Sequence, residues 1–294
     1  MGSPDYGVSV LKKLAEKFEI VAIYTQPDRP AGRGRKLTPT PVKVEGEKLG
    51  VPVFTPTSLR GEGEKLKRLA PDFIVTAAYG LILPREVLEV AIPINLHGSL
   101  LPKYRGASPI QAAILNGDRW TGVTAIKMVE RLDAGPILGW SYTEVGSKTA
   151  PELYYELGEM AGELAVEVIE NFDRLQPQPQ PDCLATYAPK ISKRDGLISF
   201  KMGAEEIWRK YLAYYHWPKI FTPDFKIVEL ELVAPTGHFG APGEVVEVNR
   251  REGWGVVACG EGAIKIVKVQ PPSRRPIPFV SYLNTLEKAI KNLV

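Results

Sequence analysis

Six residues do most to limit what this chain can become. Gln176-Pro177-Gln178-Pro179-Gln180-Pro181 alternates residues with and without a backbone N–H, so neither a helix nor a central strand can run through it. An extended spacer is what remains, and it divides two stretches of different periodicity. Ahead of it, helix-period segments alternate with buried-strand segments; behind it come short runs in which polar and apolar residues take turns. A chain of 294 residues that is 44% hydrophobic can fill two cores of this kind. The expected organisation is a larger domain over 1–175, a linker over 176–196 and a smaller domain over 197–294.

In the first stretch, Val8, Val10, Leu11 and Leu14 lie at mainly helical spacing, and Glu19 to Tyr24 reads as a buried strand. Further strands are expected at Phe73 to Ala78, at the apolar run through Ile92, Ile94 and Leu96, and at Val123 to Val129. Ser108 can cap a helix whose first turn holds Pro109 and whose end is marked by Gly117. A longer helix, from about Pro151 to Phe172, follows Thr149 and Glu152 at capping-box spacing and carries the stripe Leu153, Leu157, Met160 and Leu164. This alternation predicts an α/β fold, a doubly wound, mostly parallel sheet. The chain opens Met1-Gly2-Ser3-Pro4 and enters a helix with no apolar strand ahead of it. Because such a turn normally follows a central first strand, a strand is expected upstream of Met1. Beyond the spacer, Ala204 to Tyr214 reads as a helix. Ile227 to Val233, Glu244 to Val248, Gly255 to Cys259 and Ile264 to Val269 read as the strands of a small antiparallel, OB-like β-barrel.

No apolar run approaches the roughly 20 residues a bilayer helix needs, and no charged segment with an apolar h-region opens the chain, which makes cytoplasm the default location. The two cysteines, Cys183 and Cys259, lie far apart, and the three histidines have no ligand spacing, so neither a disulfide framework nor a metal site is expected. A net charge of +3 names no partner by itself; where the cations cluster matters more.

The segment richest in chemistry is Asn95-Leu96-His97-Gly98-Ser99-Leu100-Leu101-Pro102. On a strand, the amide and the imidazole share one face, at the end where open α/β sheets build their sites. Asp133, after the run Val123 to Val129, can supply a carboxylate. Taken singly, a histidine at a strand end is more often structural than catalytic, and Asp133-Ala134-Gly135-Pro136 alone reads as a turn.

Together, Asn95-x-His97-x-Ser99-Leu100-Leu101-Pro102, Tyr104-Arg105-Gly106-Ala107-Ser108-Pro109 and Leu132-Asp133-Ala134-Gly135 resemble the signature of the folate-dependent formyltransferase superfamily. From Gly2 to about Gln270 the chain is similar to its methionyl-tRNA formyltransferase branch. That resemblance implies a Rossmann-like catalytic core, 10-formyltetrahydrofolate as formyl donor, no metal, and Asn95, His97 and Asp133 as catalytic residues. It also implies a folate site lined by Ser99, Leu100, Leu101 and Pro102 together with Tyr79, Gly80, Leu81 and Ile82, although Tyr79 alone reads equally well as core. The glycine-spaced basic loop Gln26 to Leu37 resembles the family's insertion loop for the acceptor end of initiator methionyl-tRNA, with Arg29, Arg33, Arg35 and Lys36 as its contacts. Solvated charge is the ordinary reading of such a run, but glycine freedom beside cations suits a segment that orders on phosphates. The C-terminal domain resembles the family's tRNA-contacting barrel, with Tyr215-His216-Trp217-Pro218 where an Asn-Pro-Trp-Pro-like turn is usual. A monomer is implied. The same core also serves enzymes that formylate nucleotide-linked amino sugars, the second expectation, and an RNA-binding module with a silent site is the third.

Overall fold

The computed structural model describes residues 1–31, 34 and 36–291, with the backbone alone described at 31 and 287–291. Arg33 and Arg35 lie outside the described residues. Two compact units are present. One comprises Met1–Ala113, Arg119–Val145 and Glu152–Pro189; the other comprises Ile114–Asp118, Gly146–Pro151 and the chain from Lys190 onward.

The chain begins with α1 (Asp5–Ala15), β1 (Ile23–Tyr24), the hairpin of β2 (Arg29–Ala31) and β3 (Lys36–Thr38), α2 (Pro41–Lys48) and β4 (Val53–Phe54). Next come α3 (Gly63–Leu69), β5 (Phe73–Thr76), α4 (Arg85–Leu88), β6 (Ile92–His97), β7 (Arg105–Gly106) and α5 (Pro109–Leu115). Strands β8 (Trp120–Lys127) and β9 (Ile137–Glu144), helix α6 (Ala150–Glu170) and strand β10 (Tyr187–Ala188) follow.

Strand periodicity produces the layers. Ile23 and Tyr24, adjacent in β1, point to opposite faces. Ile23 packs with Leu11 of α1 and Val42 of α2, whereas Tyr24 joins Leu59, Leu66, Ile74 and Val87 on the side of α3 and α4. Helices on both faces make the sheet doubly wound, as the alternation predicts. Parallel pairs join β1 to β4 and β5 to β6. Between them lie Met1 and Gly2: the Gly2 N–H donates to the Tyr24 carbonyl and the Ala77 N–H to the Met1 carbonyl. On its other side β6 pairs antiparallel with β8, and β8 with β9, an antiparallel edge on a mostly parallel sheet. The strand expected from Glu19 is shorter than its apolar run. Pro52, which has no N–H, ends the ladder beside Ile23.

Residues 176–189 are not a free spacer. Gln178 exchanges backbone hydrogen bonds with Ile137, both at 2.8 Å, and β10 pairs with β7. Of the expected linker at 176–196, this strap belongs to the first compact unit, which ends at Pro189. Its prolines exclude helix and central strand, but they leave the intervening glutamines free to bond sideways.

In the second unit, α7 (Ala204–Ala213) is followed by β11 (Lys226–Ala234), β12 (Val245–Asn249), β13 (Trp254–Ala258), β14 (Ala263–Gln270), β15 (Ile277–Pro278) and α8 (Phe279–Lys291). Among the described residues the ladders run in the order β11-β14-β13-β12, with β15 beside β14, and none joins β12 back to β11. The antiparallel domain is present, but the strand pairings do not close it into a barrel. Register shifts along β11 bend that strand, and the buried Ile227, Leu230, Ile264, Ile266 and Val269 form the packed side.

Candidate active site

Register builds the site. The parallel pairing of β5 with β6 sets Thr76 opposite Asn95, and the Thr76 hydroxyl donates to Asn95 Oδ1 at 2.8 Å. The Asp133 carboxylate can only accept, which fixes which end of the amide is which: Nδ2 donates to Asp133 Oδ1, 3.4 Å away, and Oδ1 faces Thr76. Two residues on, His97 is 6% exposed. Its Nε2 lies 2.8 Å from the Tyr104 carbonyl oxygen. A carbonyl can only accept, so Nε2 carries a hydrogen and Nδ1 is the nitrogen left facing Asp133 Oδ2 at 3.7 Å.

Asp133 sits between β8 and β9 in a left-handed backbone conformation, φ +48°, which costs a non-glycine residue about 1–2 kcal/mol. Several bonds hold it there. The Gly106 N–H donates to its Oδ2 at 2.8 Å. The Gln180 amide donates to the Asp133 carbonyl at 2.8 Å and to the Gly135 carbonyl at 2.7 Å. Gln180 Oε1 accepts from Arg105, a guanidinium only 1% exposed. Arg105 also pairs with Asp182 at 2.9 Å; Arg131 and Arg105 beside it hold the Asp182 carboxyl below the usual carboxylate range. Thr76, Tyr104, Arg105, Gly106 and Gln180 thus belong to the site. Of these, Tyr104, Arg105 and Gly106 fall inside the motif blocks. Thr76 and Gln180 carry no signal in the sequence, because only register and the strap's path bring them in.

The segments expected to line a folate site part company. Gly80, Leu81 and Ile82 border a cleft of about 510 Å³ shared with Thr57, Ser58, Leu59, Arg60, Leu83, Pro84, Arg85 and Glu130. Ile82 is 89% exposed at that cleft, while Gly80, at φ +76°, makes the turn into it. Tyr79 lies in the core: its ring packs with Tyr24 and Ile74, and its buried hydroxyl has no protein partner. Ser99 is wholly buried, its hydroxyl spent on the Lys103 carbonyl at 2.6 Å. Leu101 packs against Ile126 and Ile137. These two side chains shape the loop; Leu100 and Pro102 stay partly exposed.

Arg29 and Lys36 are exposed on the β2–β3 hairpin. Its base is tied down by the Lys43–Asp28 ion pair at 2.9 Å and by Gln26 Nε2, which donates to the Tyr79 carbonyl at 2.8 Å, one residue before the cleft-lining Gly80. Among the described residues, no three His, Cys, Asp or Glu side chains are grouped to hold a metal ion, and no helix is long and apolar enough to cross a membrane.

Residues 6–169 match the formyl transferase family, and residues 190–287 match the formyl transferase C-terminal domain. A methionyl-tRNA formyltransferase of Nitratiruptor sp. is 46% identical, over 96% of this chain and 94% of that one. One from Campylobacter curvus is 44% identical over 97% and 95%. Among solved structures, methionyl-tRNA formyltransferase from Clostridium thermocellum is 25% identical, with a TM-score of 0.51 over 65% of this chain and 83% of that one. An N-formyltransferase from Helicobacter canadensis, in complex with folinic acid and dTDP-3-aminofucose, shares the fold at a TM-score of 0.70 and 19% identity, over 92% of this chain and 97% of that one.

Proposed function

The chain belongs to the formyltransferase family, with methionyl-tRNA formyltransferases as its full-length relatives, and on that footing we propose that it formylates the amino group of initiator methionyl-tRNA from 10-formyltetrahydrofolate. The observation that carries this reading is the convergence of Asn95, His97 and Asp133 at the end of β6.

The reaction joins the methionyl amine to the formyl carbon, passes through a tetrahedral centre with an anionic oxygen, and breaks the bond to the folate nitrogen. The amine's proton must end on that nitrogen. Asn95, its amide oriented by Asp133 and held by Thr76, has an Nδ2 hydrogen to offer the developing oxyanion, an interaction worth about 3 kcal/mol of transition-state energy. His97 Nδ1 receives the amine's proton and returns it to the leaving nitrogen, with Asp133 stabilising the imidazolium between the two transfers. Nε2, committed to the Tyr104 carbonyl, keeps the ring in the orientation this needs.

The donor supplies the formyl group when bound. A cleft of about 510 Å³ lined by Gly80, Leu81 and Ile82 has the size, apolar walls and exposed backbone that suit a flat heterocycle. Leu100 and Pro102 contribute from the loop after His97. Arg29, Arg33, Arg35 and Lys36 hold the acceptor end of the tRNA through its phosphates, and the C-terminal unit adds further contacts, so affinity falls with salt. The enzyme works in the cytoplasm, as a monomer, where charged tRNA and reduced folate meet. The resemblance to an enzyme crystallised with a nucleotide-linked amino sugar supports a common fold, while relatives of 41–46% identity over nearly the full chain carry the choice of acceptor.

The test offers methionyl initiator tRNA and a nucleotide-linked amino sugar in parallel, with 10-formyltetrahydrofolate as sole donor. Only the tRNA should be formylated. His97→Ala should lower kcat by about 10²- to 10⁴-fold, and alanine at Arg29, Arg33, Arg35 and Lys36 should raise KM for tRNA more than KM for folate. Formylation of the sugar alone overturns the reading.

A further inference from the structure

Gln180 links the buried Arg105 to the turn that carries Asp133. Both hydrogens of its amide are used, one on the Asp133 carbonyl at 2.8 Å and one on the Gly135 carbonyl at 2.7 Å, so the amide straddles Ala134. Its oxygen accepts from Arg105 Nε at 3.0 Å and Nη2 at 2.8 Å. The direction of the amide is settled by these partners: turned over, it would set N–H against guanidinium and oxygen against two carbonyls. Arg105 is itself fixed, since β7 pairs with β10 of the strap, and the next residue, Gly106, donates to the Asp133 carboxylate. A left-handed aspartate therefore has its main chain held by Gln180 and its side chain by Gly106, with Arg105 bracing both.

We propose that Gln180 is a positioning residue for formyl transfer, its amide clamping the turn around Ala134 so that the Asp133 carboxylate stays aimed at His97 and Asn95. The clamp rests on the reading of Asp133 as catalytic. Gln180 touches neither substrate nor reacting atoms; it acts through Asp133. The flanking Pro177, Pro179 and Pro181 stiffen the strap that presents it, which lowers the backbone entropy lost in holding that strap in place. An aspartate moved by about 1 Å is enough to cost up to about a hundredfold in rate.

Gln180→Glu separates positioning from mere anchoring. Glutamate keeps an oxygen for Arg105, and adds charge to that contact, but meets the Asp133 and Gly135 carbonyls with an oxygen instead of two donors. The expected result is a kcat lower by about tenfold to a hundredfold, KM for both substrates within about twofold of wild type, and a folded protein whose melting temperature falls by only a few degrees, the stronger Arg105 contact offsetting part of the two lost hydrogen bonds. Gln180→Ala should give the same kcat loss, and Gln178→Ala, one step along the strap, should leave kcat unchanged. In an Asp133→Asn background, Gln180→Glu should cost nothing further, because a residue acting through Asp133 has nothing left to position. Wild-type kcat in folded Gln180→Glu overturns the proposal, as does additive loss in the double variant. Failure of both Gln180 variants to fold overturns it too, by making the glutamine a structural anchor. If Asp133→Asn itself keeps wild-type kcat, the reading of the site fails first and the clamp with it.

Discussion

Asn95 and His97 are legible because their chemistry and their separation by one residue both survive translation into a strand. Asp133 is legible only through its motif, since as isolated sequence it is a turn. Thr76 is not legible at all. It is a threonine at the end of an apolar run, and only the pairing of β5 with β6 sets its hydroxyl against Asn95. What the hydroxyl supplies is a partner for the amide oxygen. A side-chain amide can present oxygen or nitrogen to Asp133 with nearly the same shape; the carboxylate, which only accepts, decides for nitrogen, and Thr76 pairs the oxygen left on the other side. Thr76→Val keeps the volume and removes the donor. Thr76 is 2% exposed, so the change leaves the Asn95 oxygen facing an apolar side chain without the bond it had. A loss of about fivefold to tenfold in kcat is expected, matching one net hydrogen bond of about 1–1.5 kcal/mol, with KM for folate unmoved. Steady-state kinetics on the purified variant checks it, and equal loss in kcat and in folate affinity would point to a wider disturbance of the strand end.

The elements were easier to foresee than their connections. Helical stripes and caps placed α1, α5 and α6 within a few residues, because those signals are local. The strap at 176–189 was legible as extended chain and illegible as part of the active unit: proline tells what a segment cannot form, not what its other side chains will bond. Closure of the C-terminal sheet was equally out of reach, since alternating strands serve a barrel and an open sheet alike. The β8–β9 connection shows how tightly such a segment is fitted. A Cβ on Gly135 would stand 1.8 Å from the Lys127 carbonyl oxygen, which is backbone and cannot step aside. Gly135→Ala must therefore shift the turn that carries Asp133 and loosen the Gln180 bond to the carbonyl of residue 135. Folded but slow protein is the expected outcome, with kcat down at least about tenfold and the melting temperature clearly lowered by the forced backbone shift. Transfer assays beside thermal melts decide it; wild-type kcat would mean that the turn absorbs the methyl group without moving the carboxylate.

The two units differ in construction, and the cysteines report on them separately. Cys183 is exposed on the strap of the first unit, and Cys259 is buried just after β13 in the second. Burial pushes the Cys259 thiol up from 9.0 to about 11. A group that the fold keeps protonated contributes its stabilisation in full below the pKa of the unfolded chain. It loses that contribution as pH climbs to the folded value, because the unfolded thiol ionises first. For Cys259 the window opens near pH 9 and closes near 11. In native protein at about pH 8, where thiolate is the reactive form, a thiol reagent should modify Cys183 rapidly and leave Cys259 untouched until the C-terminal sheet opens. Cys259→Ala should lower stability at about pH 8 through its small cavity, yet lose less on going to about pH 10.5 than wild type does, since nothing at 259 remains to ionise. The tyrosines whose burial also raises them, Tyr154 and Tyr211 to about 12, titrate alike in both proteins and cancel in the comparison. Denaturant melts of the two proteins at the two pH values measure the difference; parallel curves would show that the buried thiol is not what weakens the C-terminal unit in alkali.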